Sequence, residues 1–141
     1  MKPVLIDSGP LIALFDADDR YHSVSVDFIR RNRRPLATSL ANITETVYVL
    51  DYSRDAQTAF LKWISSSSIT IEAIDPDEIL KICQLFEKYH DVPMDFADAC
   101  MVYLGERLST DEIATVDSDF EVYRMRGKRP FRNVLIRKAD G

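Results

Sequence analysis

Cysteine is scarce in this chain: only Cys83 and Cys100 occur, without CxxC spacing and each inside an apolar helical pattern. That excludes a disulfide-stapled fold and a cysteine-ligated zinc site, and leaves two buried free thiols as the expectation. Histidine is as rare. His22 and His90 are far apart and have no ligand-spaced partner, so imidazole zinc centres are excluded as well and both read as ordinary surface or interface residues. No apolar run approaches the roughly 20 residues that cross a bilayer. Asp7 interrupts the first apolar stretch too early for a secretory signal, so a cytoplasmic protein without a membrane partner is expected. With no repeat, linker or low-complexity tract, residues 1–141 read as a single domain.

What is present is the balance of a soluble globular protein, with 46% hydrophobic and 29% charged residues. The formal net charge of -5 argues against a protein that coats nucleic acid, but the charges are unevenly spread. The segment after residue 120 holds Arg124, Arg126, Lys128, Arg129, Arg132, Arg137 and Lys138 against only Glu121 and Asp140. Either this is a solvated charged terminus, or a basic tail on an acidic body approaches a phosphate backbone while the body keeps its carboxylates for another purpose.

Strands alternate with helices along the chain. "PVLID" reads as a buried strand, followed by "SGPLIALFD" with Ser8 as helix cap and Pro10 in the first turn. A helix over 23–33, a strand in "PLATS" and helices in "LANITETVYVLDYS" and "DAQTAFLKWISS" follow. "ITIEAI" is the clearest strand by alternation and β-branching, and "DPDEILKICQLFEKYH" opens on Asp75 as cap and Pro76. Then come the helix "PMDFADACMVYLGERL", a strand "EIATVD", a helical turn "SDFEVYR" and a last strand "NVLIR". This order implies an α/β fold with a parallel sheet covered on both faces.

The acids of this pattern are oddly placed. Asp7 and Asp117 each follow a strand directly, and in open parallel sheets ligand sites form outside the carboxyl ends of the strands. Glu45 interrupts an apolar helix, and Asp98 lies between Ala97 and Ala99. Each has a dull alternative: Asp7 or Asp95 as helix cap, Glu45 as an exposed helix residue, Asp117 as the start of a turn and Asp119 as the cap of the next. Brought together, four carboxylates without arginines repel, and a hard divalent cation relieves them; oxygen donors suit Mg2+ or Mn2+. Hydrolysis of a phosphodiester is the chemistry such a site supports.

The combination of "VLIDSGPLIALFD", "ITETVYVL", "PMDFADACMVYLGERL" and "IATVDSDFEVYR" resembles the PIN-domain family, in particular its branch of VapC-type toxins. The resemblance runs from about Val4 to Leu135. It implies a three-layer α/β/α sandwich around a parallel sheet of about five strands. The activity it implies is an endoribonuclease dependent on Mg2+ or Mn2+, the toxin of a type II toxin-antitoxin pair, with a small antitoxin as partner and a homodimer as assembly. By the same resemblance Asp7, Glu45, Asp98 and Asp117 are the catalytic acids. Asp7, Asp98 and Asp117 hold the metal, and Glu45 positions or deprotonates the attacking water. Ser8 and Thr115 match small polar positions of the family, while Asp95 and Asp119 are secondary. Arg124, Arg126, Lys128, Arg129 and Arg132 are expected to hold the RNA backbone, with Arg30, Arg31, Arg33 and Arg34 as a weaker patch and Tyr123 and Phe131 as aromatics able to stack bases or pack in the core. A housekeeping RNA-processing nuclease and a non-catalytic binding module are the alternatives. A phosphatase or receiver reading lacks both a DxD motif and a strand-end lysine.

Overall fold

The computed structural model describes residues 1–136. Arg137 and Lys138 of the basic tail lie outside the described residues. Five parallel strands form the central sheet in the order β3-β2-β1-β4-β7, with β1 at Val4–Ile6, β2 at Leu36–Ser39, β3 at Thr70–Glu72, β4 at Glu112–Ala114 and β7 at Arg132–Asn133. Because successive side chains of a strand point to opposite faces, β1 feeds two cores. Val4 and Ile6 pack with Leu11, Phe28, Ile43 and Phe60, whereas Leu5 packs with Ile82, Leu85, Met101 and Leu104. Helices α1 (Ser8–Phe15), α2 (His22–Arg31) and α4 (Arg54–Ser66) therefore cover one face, and α5 (Ile79–Lys88) and α6 (Phe96–Leu108) the other. Helix α3 (Leu40–Val49) gives Ile43 to the first core and Ala41 to the second, so it stands where the two layers meet.

Helix α6 is apolar nearly all round, and its residues from Ala97 to Gly105 are all buried. Its small residues permit that depth: a Cβ at Gly105 would come within 2.8 Å of Phe131. The helix ends at Ser109, in the left-handed conformation with φ 54°.

The chain departs from the sequence reading in several places. Ser8 does not cap α1; Asp7 occupies the cap position, its carboxylate is turned elsewhere, and Ser8 is the first helical residue. "ITIEAI" yields only the short edge strand β3, which is largely exposed. In "NVLIR" the ladder is confined to Arg132–Asn133, because Arg31 takes the carbonyls of Val134 and Leu135 that would have continued it. A small antiparallel hairpin, β5 (Arg124–Met125) and β6 (Arg129–Pro130), follows the turn in "SDFEVYR" and takes its last residue, Arg124, as its first. Its turn places Arg126 and Gly127 at positive φ. Cys100 is buried as expected, but Cys83 lies on the outer side of α5 and is exposed.

Candidate active site

The crevice lies at the carboxyl ends of β1 and β4, neighbours in the sheet whose connections leave to opposite faces. Asp7 follows β1, and its N–H donates to the Ala114 carbonyl at 3.0 Å, which locks it to the end of β4. Its side chain is 4% exposed. Asn42 Nδ2 donates to Asp7 Oδ1 at 2.9 Å, and Thr115 Oγ1 donates to Asp7 Oδ2 at 2.9 Å. Thr115 Oγ1 also accepts the N–H of Asp117 at 3.0 Å, so one hydroxyl sets both acids. Asp117 in turn caps the 3-10 turn Ser118–Glu121, its carboxylate accepting the N–H of Asp119. Asp117 thus starts this turn, as its dull alternative had it, and Asp119 is held by that cap.

Asp95 and Asp98 form a reciprocal capping box at the start of α6. Asp95 Oδ1 accepts the Asp98 N–H at 2.8 Å, and Asp98 Oδ2 accepts the Asp95 N–H at 3.1 Å. Two acids three positions apart at a helix start are therefore one device. Each satisfies a donor that the first turn leaves free, and both sit at the positive end of the helix dipole. The exposed Asp95 belongs to the rim, whereas Asp98 is 8% exposed and turns inward.

Electrostatics bind these groups into one cluster. Burial pushes the Asp7 carboxyl up to about 7, against the Ser8 N–H and the Thr115 hydroxyl, and the Glu45 and Asp117 charges add to the rise. Asp98 is pushed up to about 8, by burial first and then by Asp95, Asp7 and Asp117, while the Asp95 N–H opposes. Glu45, half-buried on α3, is raised by burial and by Asp95 and Asp117, and the Ser8 hydroxyl beside it works the other way. Asp117 is also raised, by burial and then by Asp119 and Asp95. Among the described residues no ion pair reaches any of these acids. Asp7, Glu45, Asp98 and Asp117 thus come together from four elements with their repulsion unrelieved.

A hard divalent cation fits this donor set, which is all carboxylate oxygen with hydroxyls behind it. Asp7, Asp98 and Asp117 are the residues that would hold it. Among the described residues no three acidic, histidine or cysteine side chains converge closely enough to grip an ion as they stand.

The basic residues are less free than the sequence suggests. Arg129 pairs with Asp111 at 3.0 Å and Arg132 with Glu112 at 2.9 Å. Arg124 turns back on the carbonyls of Glu121 and Tyr123, and Arg126 on that of Glu106. The second patch is largely structural: Arg31 pairs with Asp27, Arg34 with Glu112, and Arg33 bonds the carbonyls of Arg30 and Asn32. Tyr123 does not stack bases. It is wholly buried, edge-on to Tyr89 and Phe120, and Phe131 is half-buried against Phe120.

Two features escaped the sequence reading. Asn42 is a buried amide inside an apolar helix three residues before Glu45, a spacing that could have marked it. An apolar groove of about 800 Å³ opens beside Glu45 and Asp95, lined by Leu40, Tyr48, Ile74, Ile79 and Phe96; it joins α3 to the start of α6 and has no signature in the sequence.

Comparisons with known proteins place the fold and the family. Ribonuclease VapC26 of Mycobacterium tuberculosis (strain ATCC 25618 / H37Rv) is 28% identical over 116 residues, covering 81% of this chain and 86% of that protein. The crystal structure of Mycobacterium tuberculosis VapC20, a sarcin-ricin loop cleaving toxin, superposes with a TM-score of 0.80 at 19% identity, over 90% of this chain and 99% of that one, and so shares the fold. The family model of the PIN domain matches residues 4–125, and the chain belongs to the PIN-domain family.

Proposed function

We propose that this protein is a divalent-metal-dependent endoribonuclease and the toxin of a type II toxin-antitoxin pair. The observation that carries the reading is the meeting of Asp7, Glu45, Asp98 and Asp117, raised first by burial and then by neighbouring carboxylates and without a basic partner among the described residues, in a PIN-family chain. The name of the mycobacterial relative supports the choice of RNA as substrate. When bound, Mg2+ or Mn2+ would polarise a phosphoryl oxygen and neutralise charge during an in-line displacement.

The chain's own residues divide the remaining work. Asp7, Asp98 and Asp117 fix the electrostatic centre. Glu45, whose carboxyl is raised and partly open to solvent, is suited to orient a water and take its proton. Asn42 and Thr115 hold Asp7 in place. A small antitoxin that inserts a segment into the acidic crevice, a homodimer and the single-domain organisation of 1–141 belong to the same reading, and the apolar groove that opens beside Glu45 and Asp95 supports the first.

Purified protein is incubated with mixed RNAs in Mg2+ or Mn2+ and in chelator, and the product ends are mapped. Internal cleavage that requires the cation and is lost by at least about a hundredfold in Asp7→Ala and Asp98→Ala is the expected result. Cleavage untouched by chelator or by either substitution refutes the site. Toxicity on expression, relieved by the product of an adjacent short reading frame, separates toxin from processing enzyme.

A further inference from the structure

We propose that Asn42 is a positioning residue of this site, an amide that orients the first-strand carboxylate and couples it to the helix carrying Glu45; the proposal rests on the nuclease reading above. Asn42 is 0% exposed, and each of its side-chain donor and acceptor atoms has a partner in or beside the site. Nδ2 donates to Asp7 Oδ1 and to Ser8 Oγ, both at 2.9 Å, and Oδ1 accepts from the Ser39 hydroxyl. The backbone is committed as well: Asn42 N–H donates to Ser39 Oγ, and its carbonyl accepts from Thr46 Oγ1 at 2.7 Å.

Three consequences follow from this wiring. First, the direction of the amide is fixed, because turning it over would set its carbonyl oxygen against the Asp7 carboxylate and a donor against the Ser39 hydroxyl. Second, Asp7 has one oxygen held by Asn42 from α3 and the other by Thr115 from the end of β4. Each oxygen keeps a lone pair for a ligand, and the plane of the carboxylate is set from both sides. Third, the Ser8 hydroxyl that receives the second Asn42 hydrogen donates in turn to the Asn42 carbonyl at 3.5 Å, so the first turn of α1 is tied through Asn42 to α3, the helix that carries Glu45. A residue that merely filled space would need none of these bonds.

The test compares wild type with Asn42→Leu, which has a similar volume and no donor. Mn2+ affinity is measured by calorimetry, kcat and KM on one cleaved RNA, and folding by circular dichroism and thermal melting. The expected result is a cooperatively folded variant whose Mn2+ affinity and kcat both fall about 10- to 100-fold, the range for lost outer hydrogen bonds to metal ligands, while KM stays within about twofold. Mn2+ affinity and kcat within about twofold of wild type overturn the proposal. If the variant does not fold, Asn42→Ala decides: it removes the whole amide without adding bulk beside the Asp7 carboxylate, so a several-fold loss of Mn2+ affinity with a cooperative melt supports the role, and unchanged affinity overturns it. A wild-type protein that neither binds Mn2+ nor cuts RNA would instead sink the nuclease reading, which keeps the two failures apart.

Discussion

At the scale of single residues the site is a store of unfavourable charge. Asp7 and Asp98 sit in the fold at about 7 and about 8, above the 3.8 of an ordinary aspartate. The folded protein therefore holds protons that the unfolded chain has already released, and stability falls as they are lost. This contribution is fully present below about pH 4 and disappears as pH rises through the folded values, so the metal-free protein should melt at progressively lower temperature from about pH 5 to pH 8. Carboxyls shifted the other way, such as Glu78 at about 2 with the Asp75 N–H, Tyr103 and Arg107 around it, are silent in that window. Asp98→Asn keeps the acceptor for the Asp95 N–H and removes the charge. Without metal it should flatten the profile and melt above wild type at pH 8, and scanning calorimetry at several pH values decides; identical profiles for the two proteins would refute the shared burial of these charges. Asp95 separates cap from ligand in the same way. Asp95→Asn, which still caps, should retain folding and most cleavage, whereas Asp95→Ala should cost about 1 kcal/mol. A complete loss of Mn2+ binding in Asp95→Asn would make Asp95 a ligand instead.

At the scale of elements, close approach decides whether the acids meet. A side chain at Gly9 would run into Val116 Cγ2, so the first turn of α1 lies directly against the segment that carries Asp117. Gly9→Ala should cost about 1–3 kcal/mol by overpacking and reduce cleavage, while the double change Gly9→Ala with Val116→Ala should recover most of both. Denaturant melts of the four proteins give the coupling, and purely additive effects would place the fault elsewhere. This contact also shows what the sequence could reveal. Strand-helix alternation, the buried β1 and the acids at strand ends were legible because periodicity and position in a parallel sheet constrain them. The Gly9–Val116 approach was not, since it depends on how two connections pack. Nor was the shortening of the last strand, where a side chain of Arg31 from 103 residues away takes a backbone carbonyl. Asn42 was missed for a related reason: its meaning lies in partners at 34 and 35 positions' distance, invisible to any local pattern.

At the scale of the whole molecule, an acidic protein with net charge -5 must still approach a polyanion. The acidic centre repels RNA, and the proposed nuclease function assigns the backbone contacts to the basic hairpin of β5 and β6 and its turn. Yet charge count misleads there, because Arg129 and Arg132 are already offset by Asp111 and Glu112. Lys128 at the exposed turn has no ion pair among the described residues, and its charge is wholly available for a phosphate. Each phosphate contact releases counterions, so Lys128→Ala should weaken RNA binding at every sequence and lower the salt slope by about one, with kcat unchanged. Arg129→Ala should change the slope less, since its pairing with Asp111 already offsets its charge and limits how far it can reach. Filter binding of a catalytically silent Asp98→Asn background over a range of salt measures both slopes. Equal slopes for wild type and Lys128→Ala would mean that RNA approaches the acids from another side of the molecule.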